Sequence, residues 1–137
     1  MSPNVSRRDY PNQVLTVGDH IRKVRIHANL YHTDVANAVG CGVCSVNNWE
    51  MNHSEPELRF IPKIIEFLGY NPKPMPSDTL GRLAWYKWSR GLNYIELGNQ
   101  MGIHPEQLTD WISGRHKPFR KSLDRIDTFL AFYCRNA

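Results

Sequence analysis

The sequence predicts an all-α protein made of two tandem bundles of four to five short helices joined by a proline-rich linker. Three observations carry this. Asn29 to Pro56 and Gly91 to Pro118 align without a gap at an offset of 62, pairing Leu30 with Leu92, Val35 with Leu97, Gly40 with Gly102 and Trp49 with Trp111. Self-similarity of this length marks a duplicated structural unit. Within each copy the apolar residues recur at helical spacing, and no alternating strand pattern competes. Between the copies lies NPKPMPSD, whose prolines cannot continue a helix and favour an extended, stiff connection.

The elements follow in order. Residues 1–14 read as a flexible N-terminal tail, 15–70 as the first unit, 71–78 as the linker and 79–137 as the second unit. Val17, Ile21, Val24 and Ala28 form the apolar stripe of a first helix; Val35 and Val39, four apart, and Val46 and Trp49, three apart, mark two shorter ones. Ile61, Ile64, Ile65 and Leu68 form the last stripe, and the repeat extends to it through Ile64 with Ile126 and Leu68 with Leu130. Upstream, TVGDHI matches TLGRL once a one-residue gap is allowed. Gly40 and Gly102 fall between short helices, where a chain reversal uses positive φ.

The 137 residues are 41% hydrophobic, enough for one ordinary core or two small ones. No apolar run approaches the ~20 residues that span a bilayer, and MSPNVSRRDYPNQV lacks the apolar region of a signal peptide, so a cytoplasmic location is expected. The net charge of +4 permits an anionic partner, nucleic acid above all, without requiring one. Three cysteines without a secretory signal argue against a disulfide framework. Cys41 and Cys44 form a Cys-x-x-Cys, but a structural zinc site needs about four ligands and no second such pair exists. No glycine-rich phosphate loop, nucleophile and base, or paired carboxylates emerge, so no enzyme, cofactor, metal or small-molecule substrate is expected.

A short helix, a turn at Gly40, a second short helix and a tryptophan near its end have the layout of a helix-turn-helix. Leu30, Val35, Ala36, Val39, Gly40, Val46, Trp49, Glu50 and Pro56 together resemble the Xre, or lambda-repressor-like, class of DNA-binding domains. The resemblance covers Thr16 to about Gly69 and, in the second unit, Thr79 to about Leu130. The second unit departs from the pattern, with Gly98 in place of Ala36 and Ile112 in place of Glu50.

The resemblance implies two tandem lambda-repressor-like domains and assigns roles to particular positions. Cys41 takes the place of an apolar core residue, as Ile103 does in the second unit, while Cys44 lies in the first turn of the recognition helix and faces DNA. The base-reading places fall on Val43, Cys44 and Asn48, with Ser45 and Asn47 beside them; backbone-positioning places fall on His32, Thr33, Asn52 and His53. Asn48 suits adenine N6 and N7, and Val43 suits a thymine methyl. Arg25 and Glu50 fall where the family has an internal ion pair; Lys87 and Ile112 at the matching places lose it. Trp49 and Trp111 lie on the apolar stripes and read as core rather than as stacking platforms.

In the second unit the corresponding positions are Tyr94, Glu106, Gln107, Thr109 and Asp110, with Pro105 opening the helix. Two carboxylates facing a phosphate-lined groove make a poor reader, whereas Arg115 and Lys117 in RHKPFRK suit phosphate contacts or simply a solvated face. Arg7 and Arg8 offer an arm for a minor groove within an otherwise flexible tail. The expected partner is double-stranded DNA, bound by a prokaryotic transcription regulator whose first unit is the main base reader; pairing of two chains into a homodimer stays open. Two other readings stand beside it: a protein-interaction module on the same fold, and a DNA-binding switch sensitive to oxidation of Cys44.

Overall fold

The computed structural model describes residues 13–134, and every described element is helical. The tail with Arg7 and Arg8 lies outside these residues, as does the side chain of Cys134. The chain divides into two compact units, Met1–Pro72 and Lys73–Ala137. The first holds α1 (Val17–His27), α2 (His32–Val39), α3 (Val43–Glu50), a 3₁₀ turn at Leu58–Phe60 and α4 (Ile61–Leu68). The second holds α5 (Thr79–Ser89), α6 (Tyr94–Met101), α7 (Pro105–Ser113) and α8 (Arg120–Cys134).

The first three helices of the second unit each start 62 residues after those of the first. The cores correspond in the same register: Ile21 and Leu83, Val35 and Leu97, Val46 and Leu108, Trp49 and Trp111, and Ile64 and Ile126 are all buried. So do three left-handed backbone positions, Asn29 with Gly91, Gly40 with Gly102 and Asn52 with Gly114. Asparagine is the L-residue that best tolerates this region, which is why it alternates with glycine there.

The upstream match needs no gap. Thr16 caps α1, its hydroxyl accepting from the Asp19 N–H at 3.0 Å, and Asp78 caps α5 by accepting from the Gly81 N–H at 2.9 Å. With the caps 62 apart, Gly18 and Gly81 are not equivalent and exist for different reasons. A Cβ on Gly18 would lie 1.8 Å from the Trp49 carbonyl oxygen, so glycine lets α1 approach the end of α3. A Cβ on Gly81 would meet Pro76 at 2.8 Å. Part of the proline-rich stretch therefore lies on α5, where the Trp85 indole N–H also donates to the Lys73 carbonyl at 2.8 Å and the Lys73 ammonium sits 4.2 Å from the Trp88 ring centroid.

Two expectations about burial are corrected. Ala28 is exposed, because it is the C-cap of α1 and the buried face turns instead through Gly18, Ile21 and Arg25. Cys41 is only half-buried, whereas Ile103 at the matching place is buried. The units also differ at their last helix. Gly69 ends α4 with φ 81°, while α8 has Ala131 at the matching place and continues to Cys134.

Candidate nucleic-acid interface

α2 ends at Gly40, and the N–H groups of Gly40 and Cys41 both donate to the Ala36 carbonyl, at 2.8 and 3.0 Å. This closes the C-terminus of α2 and turns the chain into α3 within three residues. Val35, Ala36, Val39, Val46 and Trp49 anchor the inner faces of the two helices in the core. Their outer faces then carry Thr33, Val43, Cys44, Asn47 and Asn48, all exposed, with His32 and Ser45 half-buried. His32, Val43, Cys44, Asn47 and Asn48 line one open depression of about 500 Å³. The Asn47 and Asn48 amides have no hydrogen-bond partner among the described residues.

The charge beneath this surface is balanced. Arg25 grips Glu50 through two parallel bonds, Nε to Oε2 at 2.8 Å and Nη2 to Oε1 at 2.9 Å, and its Nη1 donates to the Leu30 carbonyl at 3.2 Å. Both members of this pair are buried. His32 Nε2 stands 3.5 Å from Glu50 Oε1, so the histidine on the rim rests on the anionic end of the pair. The α3 N-terminus has no side-chain cap and no acid in its first turn, leaving its amide dipoles free to face an anion.

Asn52 and His53 do not line the depression. The Thr16 hydroxyl donates to Asn52 Oδ1 at 2.7 Å and Asn52 Nδ2 donates to Asp19 Oδ1 at 3.1 Å, fastening the start of α1 to the residues after α3. Burial pushes the Asp19 carboxyl up, but hydrogen bonds from Asn52 and the Leu15 and Thr16 N–H groups outweigh this and leave it below the ordinary range. Asn52 is thus a fastener with a left-handed backbone. Its pairing with Gly114 across the repeat was the available signal for that conformation.

The corresponding surface of the second unit is chemically different. The His104 ring nitrogen Nδ1 accepts from the Glu106 N–H at 3.3 Å, Pro105 opens α7, and Glu106 puts an exposed carboxylate in the first turn. The Thr109 hydroxyl donates back to the Pro105 carbonyl at 2.9 Å. Arg115 turns onto Asp110 at 3.4 Å, with His116 Nε2 4.0 Å from the same carboxylate, so part of the basic segment serves the unit's own acid. Gln107 and Lys117 are exposed. Where the first unit has Arg25, Glu50 and His32, the second has the Lys87 ammonium 4.4 Å from the Tyr94 ring centroid, and burial pushes that ammonium's pKa down. A cation over an aromatic face replaces the ion pair.

Cys41 and Cys44 are free thiols. Burial pushes the Cys41 thiol up, which disfavours its thiolate, while Cys44 stands in the depression. Among the described residues no three His, Cys, Asp or Glu side chains converge as a metal set, and no helix is long and apolar enough to cross a membrane. No protein-family model, curated protein or solved structure matches the chain.

Proposed function

We propose that the chain is a prokaryotic, cytoplasmic transcription regulator that binds double-stranded DNA, with two lambda-repressor-like helix-turn-helix units of which the first reads bases. The observation that carries this is the convergence of His32, Val43, Cys44, Asn47 and Asn48 on one depression at the uncapped end of α3. In the helix-turn-helix mode the start of the second helix meets base edges in the major groove while the preceding helix faces the backbone. Carboxamides without a partner among the described residues are suited to base edges, and the described lining carries no carboxylate to repel a polyanion.

A second reading belongs to the second unit. Glu106 and the Asp110–Arg115 pair make its surface one that suits a protein partner better than a phosphate-lined groove. Selection of random-sequence duplexes by the purified chain at about 150 mM salt, where non-specific electrostatic binding is weak, tests the proposal. One enriched block of roughly 4–6 base pairs is expected for a single reading unit. Two blocks about one helical turn apart would mean paired recognition helices, and no enrichment would contradict DNA reading.

A further inference from the structure

The α3 N-terminus displays apolar groups that the fold does not need. Val43 is 42% exposed and Cys44 is exposed beside it, although Val46 and Trp49 already supply the helix's core contacts. Each is followed four residues later by an asparagine, Val43 by Asn47 and Cys44 by Asn48. Residues spaced i and i+4 are neighbours on a helix surface, about 5–6 Å apart at Cβ. The depression therefore holds two apolar groups, each next to a carboxamide with no partner among the described residues.

That pairing matches one base pair. In the major groove a T·A pair shows the C5-methyl of thymine beside the N7 acceptor and N6 donor of adenine, and a carboxamide satisfies both adenine groups at once. Guanine shows two acceptors, which call for arginine or lysine, and among the described residues neither lines the depression. Glu50, whose carboxylate stands 3.5 Å from the rim histidine, is buried and held by Arg25, so it offers no acceptor to cytosine N4.

We infer that the depression recognises the C5-methyl edge of thymine, one apolar and amide pair to each of two adjacent T·A base pairs. The inference rests on the DNA reading proposed above. A C5-methyl has two natural sources, thymine and 5-methylcytosine, and the adenine-matching amides select the first.

The test uses the full chain and its enriched duplex, with each thymine replaced in turn by deoxyuridine, which removes the methyl alone. Loss of one buried methyl corresponds to about fourfold weaker binding, expected at two adjacent positions and nowhere else. Val43→Ala, at an exposed site, removes the distinction at one of them. Replacement of either T·A pair by 5-methylcytosine·G keeps the methyl but removes adenine, and binding weakens further than with deoxyuridine. Equal affinity for thymine and deoxyuridine at every position, with the enriched sequence still preferred over a scrambled one, overturns the inference while leaving sequence-specific binding in place. Equal or tighter binding of the 5-methylcytosine duplex overturns it in favour of a methylated-cytosine reader. Absence of preference for any duplex removes the DNA reading, and this inference with it.

Discussion

Glu50→Ala is expected to destabilise the first unit by about 3–5 kcal/mol, because it leaves the Arg25 guanidinium buried without its carboxylate. Both bonds of the pair are short, 2.8 and 2.9 Å, and the Glu50 and Arg25 side chains are only 3% and 9% exposed, so solvent does little to rescue the orphaned cation. The core of a unit this small supplies about 3–5 kcal/mol, so the variant's first unit should be largely unfolded at room temperature. The change is readable in Trp49, the one tryptophan of that unit, by fluorescence during urea titration. Replacing both partners by apolar residues, Arg25→Met with Glu50→Leu, should restore much of the stability, since the pair's desolvation cost is removed together with its attraction. The second unit already shows that this position tolerates another solution, with Lys87 over Tyr94 and Ile112 where the acid would be. A Glu50→Ala protein as stable as the parent would contradict the role given to the pair.

Gly18→Ala is expected to cost about 1–3 kcal/mol or more through overpacking. Glycine-to-alanine exchange inside a helix is ordinarily stabilising by up to about 1 kcal/mol, so the predicted sign is opposite to the intrinsic one. The reason is geometric: the added Cβ would stand 1.8 Å from the Trp49 carbonyl oxygen and 2.6 Å from its carbon. Those are backbone atoms at the end of α3, which cannot swing aside as a side chain does. Relief requires α1 to move off α3 and would strain the Thr16–Asn52–Asp19 bonds that fasten them. Gly42→Ala is the control, because a Cβ there meets nothing within 4 Å and the backbone φ of −78° is open to alanine. Thermal denaturation should show a fall in melting temperature for Gly18→Ala and little change for Gly42→Ala.

The helices and the core were legible because duplication samples each position twice. A buried apolar residue recurs in both copies while surface chemistry drifts, so Ile21 with Leu83 and Val46 with Leu108 mark the interior without reference to either copy's local pattern. The Arg25–Glu50 pair was legible through the resemblance, and the structure forms it. The similarity of TVGDHI to TLGRL misled because it compares letters, whereas the helix register is set by the caps Thr16 and Asp78. Gly18 carries no sequence signal for its close approach to Trp49, which exists only once two helices cross. Position in the repeat points Asn52 and Arg115 at phosphates, yet Asn52 spends its amide on Thr16 and Asp19 and Arg115 turns onto Asp110. Such tethers join residues from different segments, and no periodicity within one segment encodes them. The depression at α3 lies between these cases: the positions that line it were readable, but not that both asparagine amides would be left without partners among the described residues.

The division of labour between the units is tested most directly on the enriched duplex by equilibrium titration of Asn48→Ala and Asp110→Asn at about 150 mM salt. One lost bidentate base contact is worth about 1–3 kcal/mol, so Asn48→Ala should weaken binding by roughly 5- to 150-fold. Asp110→Asn removes a carboxylate and releases Arg115, so its affinity should be unchanged or higher. Parent-like binding by Asn48→Ala together with a large loss in Asp110→Asn would place base reading in the second unit and contradict the account.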